Sequence, residues 1–350
     1  MHGDRFGIHR VLEPQGVLPQ PAWKLDNDTA KIFDDEIVLE VERLNIDSAS
    51  FVQMEGEGSA AEREARIRAA LEKTVRERGK QHNPVTGSGG MLLGKVSRVG
   101  AALAPRTDLR PGERVATLIS LTLTPLRIDR IDQVDLARHQ VSVIGQAILF
   151  ESSAWARMPS DLPETVALSA FDVAGAAPQV ARLVAADRAR GLSPRVLILG
   201  CGGKSGLLTS AAARKAGAAR IIGVERSEEA ARFARRLGAC DEILITDVAS
   251  PVTLAALATS AAGGEFDLAV SCVNVPDAEM APILATRDGG TIYFFSMATQ
   301  FTKAALGAEG VSRDVNMLIG NGYCPGHAEA TLALLREDQA LREIFVERYG

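Results

Sequence analysis

One stretch, 195–225, constrains the fold of this chain more than any other. An apolar strand, Arg195 to Leu199, runs directly into Gly200-Cys201-Gly202-Gly203-Lys204-Ser205-Gly206, and helical spacing takes over from Ser205 to Ala216. A second apolar strand, Arg220 to Val224, then ends on the acid Glu225. Glycine is required in such a loop because the chain turns tightly, its backbone must approach a pyrophosphate, and the helix must pack closely on the strand. The helix start offers unpaired N–H groups and the positive end of its dipole to an anion. The terminal acid stands where an adenosine ribose would be gripped. The stretch therefore specifies a Rossmann-type, doubly wound parallel sheet that binds a dinucleotide through Gly200, Gly202, Gly203, Lys204, Ser205, Gly206 and Glu225.

The loop has one residue more than G-x-G-x-x-G before its last glycine. A P-loop reading of Lys204 and Ser205 fails, because the upstream glycine it needs would fall on Ile198. Lys204 is read either as a phosphate partner or as a solvated lysine. Glu225 favours NAD, since a carboxylate repels a 2′-phosphate. Arg226 and Ser227 would receive that phosphate in NADP if Glu225 turned away.

The two halves of the chain are patterned differently. From about Leu162 strands and helices alternate, with a helix at Glu228 to Leu237 and further strands at Glu242 to Ile245, Phe266 to Cys272, Thr291 to Phe295 and Val315 to Ile319. Such alternation means right-handed βαβ units and a sheet covered on both faces. The first half reads as β-rich. Glu36 to Val41 alternates apolar and polar residues, as do Leu93 to Val99 and, after the turn Arg110-Pro111-Gly112, Arg114 to Ile119. Ala60 to Arg78 carries apolar residues at helical spacing on a charged background, an exposed amphipathic helix inserted on the strand framework. A β-rich catalytic domain is expected over 1–165, with the C-terminal helix 327–350 as a candidate addition to it, and the dinucleotide-binding domain over 166–326.

At 350 residues the chain is long enough for both domains. Its net charge of -5 and the lack of a basic stripe argue against a nucleic-acid partner. No apolar run reaches the roughly 18 residues of a membrane span, and the opening MHGDRFGIHRVLEP has no apolar signal core. The four scattered cysteines suit a reducing compartment. A cytoplasmic protein acting on a small molecule is expected, with a homodimer formed where a second copy extends the edge strand 315–319.

Both halves resemble the medium-chain dehydrogenase/reductase superfamily. ARIIGVERSEEAARFARRLGAC (219–240) resembles its second strand, helix and "LGA" element. NPVTGSGGMLLGKVSRVG (83–100) and TDLRPGERVATL (107–118) resemble its GroES-like catalytic domain. Within the superfamily, HRVLEPQGVLPQPAW, LNIDSASF, NPVTGSGG, SCVNVPD and YFFSMATQFTKAALGAEG resemble a family of dehydrogenases acting on L-erythro-3,5-diaminohexanoate. The resemblance implies oxidative deamination of that diamino acid to 5-amino-3-oxohexanoate in lysine fermentation, with ammonia released and NAD reduced. Many alcohol dehydrogenases of the superfamily hold a catalytic zinc, in part through a Cys and a His in the segments matching NIDSAS and TGSGG. Here those segments offer Asp47, Ser48 and Ser88, and the third ligand region falls near Phe171 and Asp172. None of the five histidines stands in metal-ligand spacing with a cysteine, so no metal is expected.

Deamination asks more of the protein than hydride transfer does. The ammonium must lose a proton before its carbon gives up hydride, and water must then attack the iminium; a positioned carboxylate serves both steps. If the absent zinc site brings Asp47 and Asp172 together, one acts as base and the other orients the amine, and mutual repulsion raises one carboxyl toward the working range. The alternative for Asp47 is a helix or turn cap. Glu151 is a third candidate, or a surface acid. Ser48 and Ser88 are expected to line the substrate. Asn274 and Ser296 follow strand ends, where ligands sit in such sheets, or they cap helices. Lys303 or Arg313 either receives the substrate carboxylate or is solvated. Asn321, Tyr323 and His327 cluster after the last strand, with His327 read as structural. Two other functions stay open: a zinc-free NADPH quinone or enoyl reductase, which an acid-lined pocket disfavours, and a non-catalytic dinucleotide-binding protein.

Overall fold

The computed structural model describes residues 2–296, 298–320 and 322–350. They divide into two compact units, Met1–Asp172 and Val173–Gly350.

In the first unit β1 (Val11–Glu13) and β2 (Lys24–Leu25) form a small antiparallel ladder. Then come β3 (Glu36–Asn45), α1 (Ser48–Glu55), α2 (Ala60–Arg78), β4 (Met91–Val99), β5 (Arg114–Thr117), β6 (Leu126–Asp135), β7 (Gln140–Phe150), β8 (Trp155–Arg157) and α3 (Glu164–Phe171). The antiparallel sheet has the order β6-β7-β3-β4-β5-β8. Ile37, Leu39 and Val41 of β3 alternate into its core while Glu40 faces out. A register shift between Val41 and Arg43 resets the alternation, so that Leu44 also reaches the core.

The helix α2 lies where its periodicity places it, yet it is more than an exposed insertion. Its Ile67, Leu71 and Val75 are buried in the sheet's core. It opens with a capping box between Ser59 and Glu62 and ends on Gly79 at φ +65°. Arg10 anchors the N-terminal arm: wholly buried, it donates to both oxygens of Glu36 at 2.7 and 2.8 Å. Burial pushes the Glu36 carboxyl up, but hydrogen bonds from Arg10, His9 and the Phe33 N–H outweigh it and bring it down to about 2.

The second unit contains α4 (Ala176–Ala189), β9 (Arg195–Leu199), α5 (Lys204–Lys215), β10 (Arg220–Glu225), α6 (Glu228–Leu237), β11 (Glu242–Ile245), α7 (Pro251–Ala262), β12 (Phe266–Ser271), α8 (Met280–Ala285), β13 (Thr286–Phe294), α9 (Phe301–Gly310), β14 (Asn316–Ile319), α10 (His327–Glu337) and α11 (Gln339–Tyr349). The parallel sheet runs β11-β10-β9-β12-β13-β14. The strand order reverses between β9 and β12, and ligands bind at the carboxyl ends of the strands beside such a reversal. Val196 to Leu199 are wholly buried, as a strand covered on both faces requires.

The boundary differs from the expected one. Residues 164–172 stay with the first unit, where Arg114 pairs with Glu164 and the Gln140 amide reaches the Thr165 carbonyl. Helices α10 and α11 pack on α4, α5 and α6 in the second unit instead of completing the first. Leu332 and Leu335 are buried there, and the Thr331 hydroxyl donates to the Ala174 carbonyl at 3.1 Å.

Candidate active site

In the second unit the glycine loop is shaped for close backbone approach. Gly200 takes φ +78°, a conformation that side chains resist. A Cβ on Gly202 would stand 2.0 Å from the Ala230 carbonyl oxygen, and one on Gly206 2.0 Å from that of Gly200. Gly203 precedes α5 and no side chain caps the helix start, which leaves its first-turn N–H groups for an anion. Lys204 and Ser205 stand half-buried on that first turn, the Lys204 ammonium 5.9 Å from the centre of the Tyr349 ring.

Glu225, expected to grip a ribose, is hydrogen-bonded to the loop itself. One oxygen accepts the Gly202 N–H at 2.8 Å and the other accepts the Arg226 N–H at 3.2 Å, so the acid pins the loop to the end of β10. Arg226 is exposed, and the Ser227 hydroxyl caps α6 by accepting the Ala230 N–H at 3.2 Å. Sequence reasoning missed a residue from the last helix. The Arg348 guanidinium donates to the Gly202 carbonyl at 2.8 Å and lies over the Phe233 ring, 4.9 Å from its centre. Gly202, Glu225, Arg226, Phe233 and Arg348 border a concavity of about 410 Å³. The glycine clearances and the uncapped helix start fit a dinucleotide. Asn274 is exposed after β12, and the Ser296 hydroxyl, after β13, accepts the Ala298 N–H at 3.2 Å in a local turn.

In the first unit the segments 45–48 and 83–90 meet. Asp47 is the N-cap of α1, one oxygen accepting the Ser50 N–H at 3.0 Å. Its other oxygen is buried and has no hydrogen-bond partner. Both readings of Asp47 thus have a physical basis, since the cap uses half of the carboxylate. Ser48 is exposed and 3.2 Å from the His139 ring nitrogen. Ser50 and Thr86 exchange a hydroxyl hydrogen bond of 2.5 Å, and the Ser88 carbonyl accepts the Asn83 N–H at 2.8 Å. Asp172 stands at the C-terminal end of α3.

Other candidates are spent elsewhere. Glu151 gives both oxygens to Arg106 at 2.7 and 3.1 Å. Lys303 pairs with Asp277, and Arg313 with Glu265. Tyr323 meets His327 edge-on at 5.1 Å, and burial pushes the buried His327 down; Asn321 lies outside the described residues. At the superfamily's zinc positions the donors are carboxylate and hydroxyl oxygens, with no thiolate or imidazole, and they do not suit zinc. Among the described residues no group of three or more His, Cys, Asp or Glu side chains gathers around a possible metal position.

A glycine-cradled parallel sheet joined in sequence to a β-rich unit defines a dehydrogenase of the medium-chain type, whose cofactor is a nicotinamide dinucleotide. Solved structures share this fold, among them two dehydrogenases. An alcohol dehydrogenase from Thermotoga maritima has a TM-score of 0.53 at 15% identity, covering 90% of this chain and 86% of its own. The galactitol-1-phosphate dehydrogenase from Escherichia coli has a TM-score of 0.51 at 16% identity, covering 88% and 83%. Residues 206–317 match the family described as zinc-binding dehydrogenase, and residues 9–159 match the L-erythro-3,5-diaminohexanoate dehydrogenase N-terminal domain. The L-erythro-3,5-diaminohexanoate dehydrogenase of Acetoanaerobium sticklandii is 48% identical, with 100% of both chains covered. That of Fusobacterium nucleatum is 48% identical over 99% of each. The chain belongs to the L-erythro-3,5-diaminohexanoate dehydrogenase family.

Proposed function

We propose that this protein oxidatively deaminates L-erythro-3,5-diaminohexanoate with NAD, giving 5-amino-3-oxohexanoate. The observation that carries the reading is the 48% identity to dehydrogenases of that name along the whole chain. In balance, the substrate ammonium, NAD⁺ and water become ketone, NH₄⁺, NADH and H⁺. The dinucleotide, when bound, accepts the hydride.

The free oxygen of Asp47 takes the proton from the ammonium at C3, passes it to solvent as the H⁺ of that balance, and as carboxylate again activates the water that attacks the iminium. Asp172 orients the amine, and Ser48 and Ser88 line the substrate. Capping by the first oxygen fixes the carboxylate's direction, as a base needs. Glu225 supports NAD over NADP, because a 2′-phosphate would meet a carboxylate already committed to the loop.

The described residues include no helix long and apolar enough to cross a membrane, and none of the four cysteines is in a disulfide. Both facts support a cytoplasmic enzyme. Edge strand β14, with Ile319 62% exposed, supports a homodimer through sheet extension. The deciding assay follows nicotinamide reduction and ammonia release with 3,5-diaminohexanoate, with NAD or NADP and a metal chelator present. Chelator-resistant turnover with NAD is expected; silence with both cofactors overturns the reading.

A further inference from the structure

Free thiols meet beneath the nucleotide loop. Cys201 follows Gly200 in that loop, and Cys240 lies between α6 and β11. Gly223 sits in β10 between them, paired with Ile198 of β9 on one side and Ile243 of β11 on the other. A Cβ on Gly223 would stand 2.7 Å from Cys201 Sγ and 3.0 Å from Cys240 Sγ. The missing side chain thus leaves one space that both sulfurs share, and there the Cys201 thiol is hydrogen-bonded to Cys240.

The pair is tied to the loop at both ends. Cys240 Sγ donates to the Ser210 hydroxyl at 3.6 Å, and that hydroxyl donates to the Gly206 carbonyl at 2.7 Å. Next to Cys201, the Gly202 N–H and carbonyl are held by Glu225 and Arg348, each at 2.8 Å. The thiols are also unlike. Cys201 is wholly buried, whereas Cys240 is partly exposed. The hydrogen bond from Cys201 outweighs burial and, with Ser210 and Arg214, draws the Cys240 thiol below its ordinary range. The same bond and burial push the Cys201 thiol up. Since the thiolate is the form that attacks an oxidant, Cys240 is the attacking sulfur and Cys201 the one that closes the bond.

We propose that Cys201 and Cys240 are a modification site, which a hydroperoxide oxidises to a disulfide that loosens the grip on the dinucleotide. The Cys240 thiolate attacks the peroxide O–O bond, takes up one oxygen as a sulfenic acid and releases the other as alcohol or water. The Cys201 sulfur then attacks Cys240, and its proton leaves with the displaced hydroxide as water. The thiols lose two electrons in all, and the peroxide gains them. The new bond draws the sulfurs to about 2 Å, removes both thiol donors and pulls Cys201 against the hydrogen bonds that hold Gly202.

The test treats the reduced, full-length enzyme with hydrogen peroxide. Mass spectrometry of a non-reducing digest should show Cys201 cross-linked to Cys240. Fluorescence titration should show NADH binding weakened roughly tenfold, as the loss of one charge-assisted hydrogen bond at Gly202 predicts, and restored by dithiothreitol. Cys240→Ser keeps the side chain's shape and should bind NADH like the untreated wild type, both before and after peroxide. Cys240→Ala answers the same question if the serine variant does not fold. Peroxide that leaves no such cross-link overturns the proposal. So does a cross-link with unchanged NADH affinity, or an equal loss of affinity in Cys240→Ser. Because NADH binding is the readout, each result is independent of the substrate the enzyme deaminates.

Discussion

Arg348 reaches across 146 residues of sequence to donate to the Gly202 carbonyl at 2.8 Å. Its guanidinium also covers the Phe233 ring, so the last helix holds one side of the nucleotide loop. Replacing it with alanine frees the loop while leaving the sheet beneath it intact. Arg348→Ala should weaken NADH binding by roughly 5- to 20-fold, as the loss of one charge-assisted hydrogen bond predicts. Fluorescence titration of bound NADH reads this directly, and an unchanged affinity would show that the loop holds its shape alone.

Glu225 accepts two backbone N–H groups, and in the proposed NAD preference it also bars a 2′-phosphate. Glu225→Ser removes both effects. NAD affinity is expected to drop about tenfold, and the ratio of kcat/KM for NADP over NAD should rise. A variant that weakens both cofactors equally would assign Glu225 to loop shape and not to discrimination.

Asp47→Asn separates capping from chemistry. Asparagine caps a helix about as well as aspartate, so α1 and the first unit should keep their stability. Turnover should fall by about 10²- to 10⁴-fold, the usual contribution of a general base. NADH affinity should not change, since the glycine loop belongs to the other unit. Full activity in Asp47→Asn would leave Asp47 as a cap only.

The buried Arg10–Glu36 pair sets an acid limit on stability. Glu36 is held at about 2, below its ordinary 4.5. A carboxyl depressed on folding stabilises the fold fully above its unfolded value, and that contribution is lost as pH falls from 4.5 toward 2. About 3 kcal/mol is at stake, from the size of the shift. Urea melts at pH 7 and about pH 3 should show this loss in the wild type, and Glu36→Gln should be less stable at pH 7 with a shallower acid dependence.

Much of the dinucleotide half is legible locally. The turn at Gly200, the close approach at Gly202 and the acid ending β10 are demands on the backbone within one strand–loop–helix–strand unit, so residue type and spacing carry them. The helix α2 shows through its 3.6-residue period, as β3 and β4 do through alternation. The short helix α1 has no amphipathic signal, and only its cap announces it. Lys303 and Arg313 look like anion partners until the fold supplies Asp277 and Glu265 as their carboxylates.

By itself, then, the sequence determined the class of each half and the chemistry of the nucleotide loop, because both follow from short-range geometry. Tertiary structure alone decided three things: that Arg348 serves that loop, that 327–350 packs on the second unit, and that Gly90 lets the segment 83–90 close on the Asn45 backbone. Each depends on contacts between segments far apart in the chain. Such contacts form through packing and hydrogen bonding in three dimensions, for which no local periodicity encodes a partner.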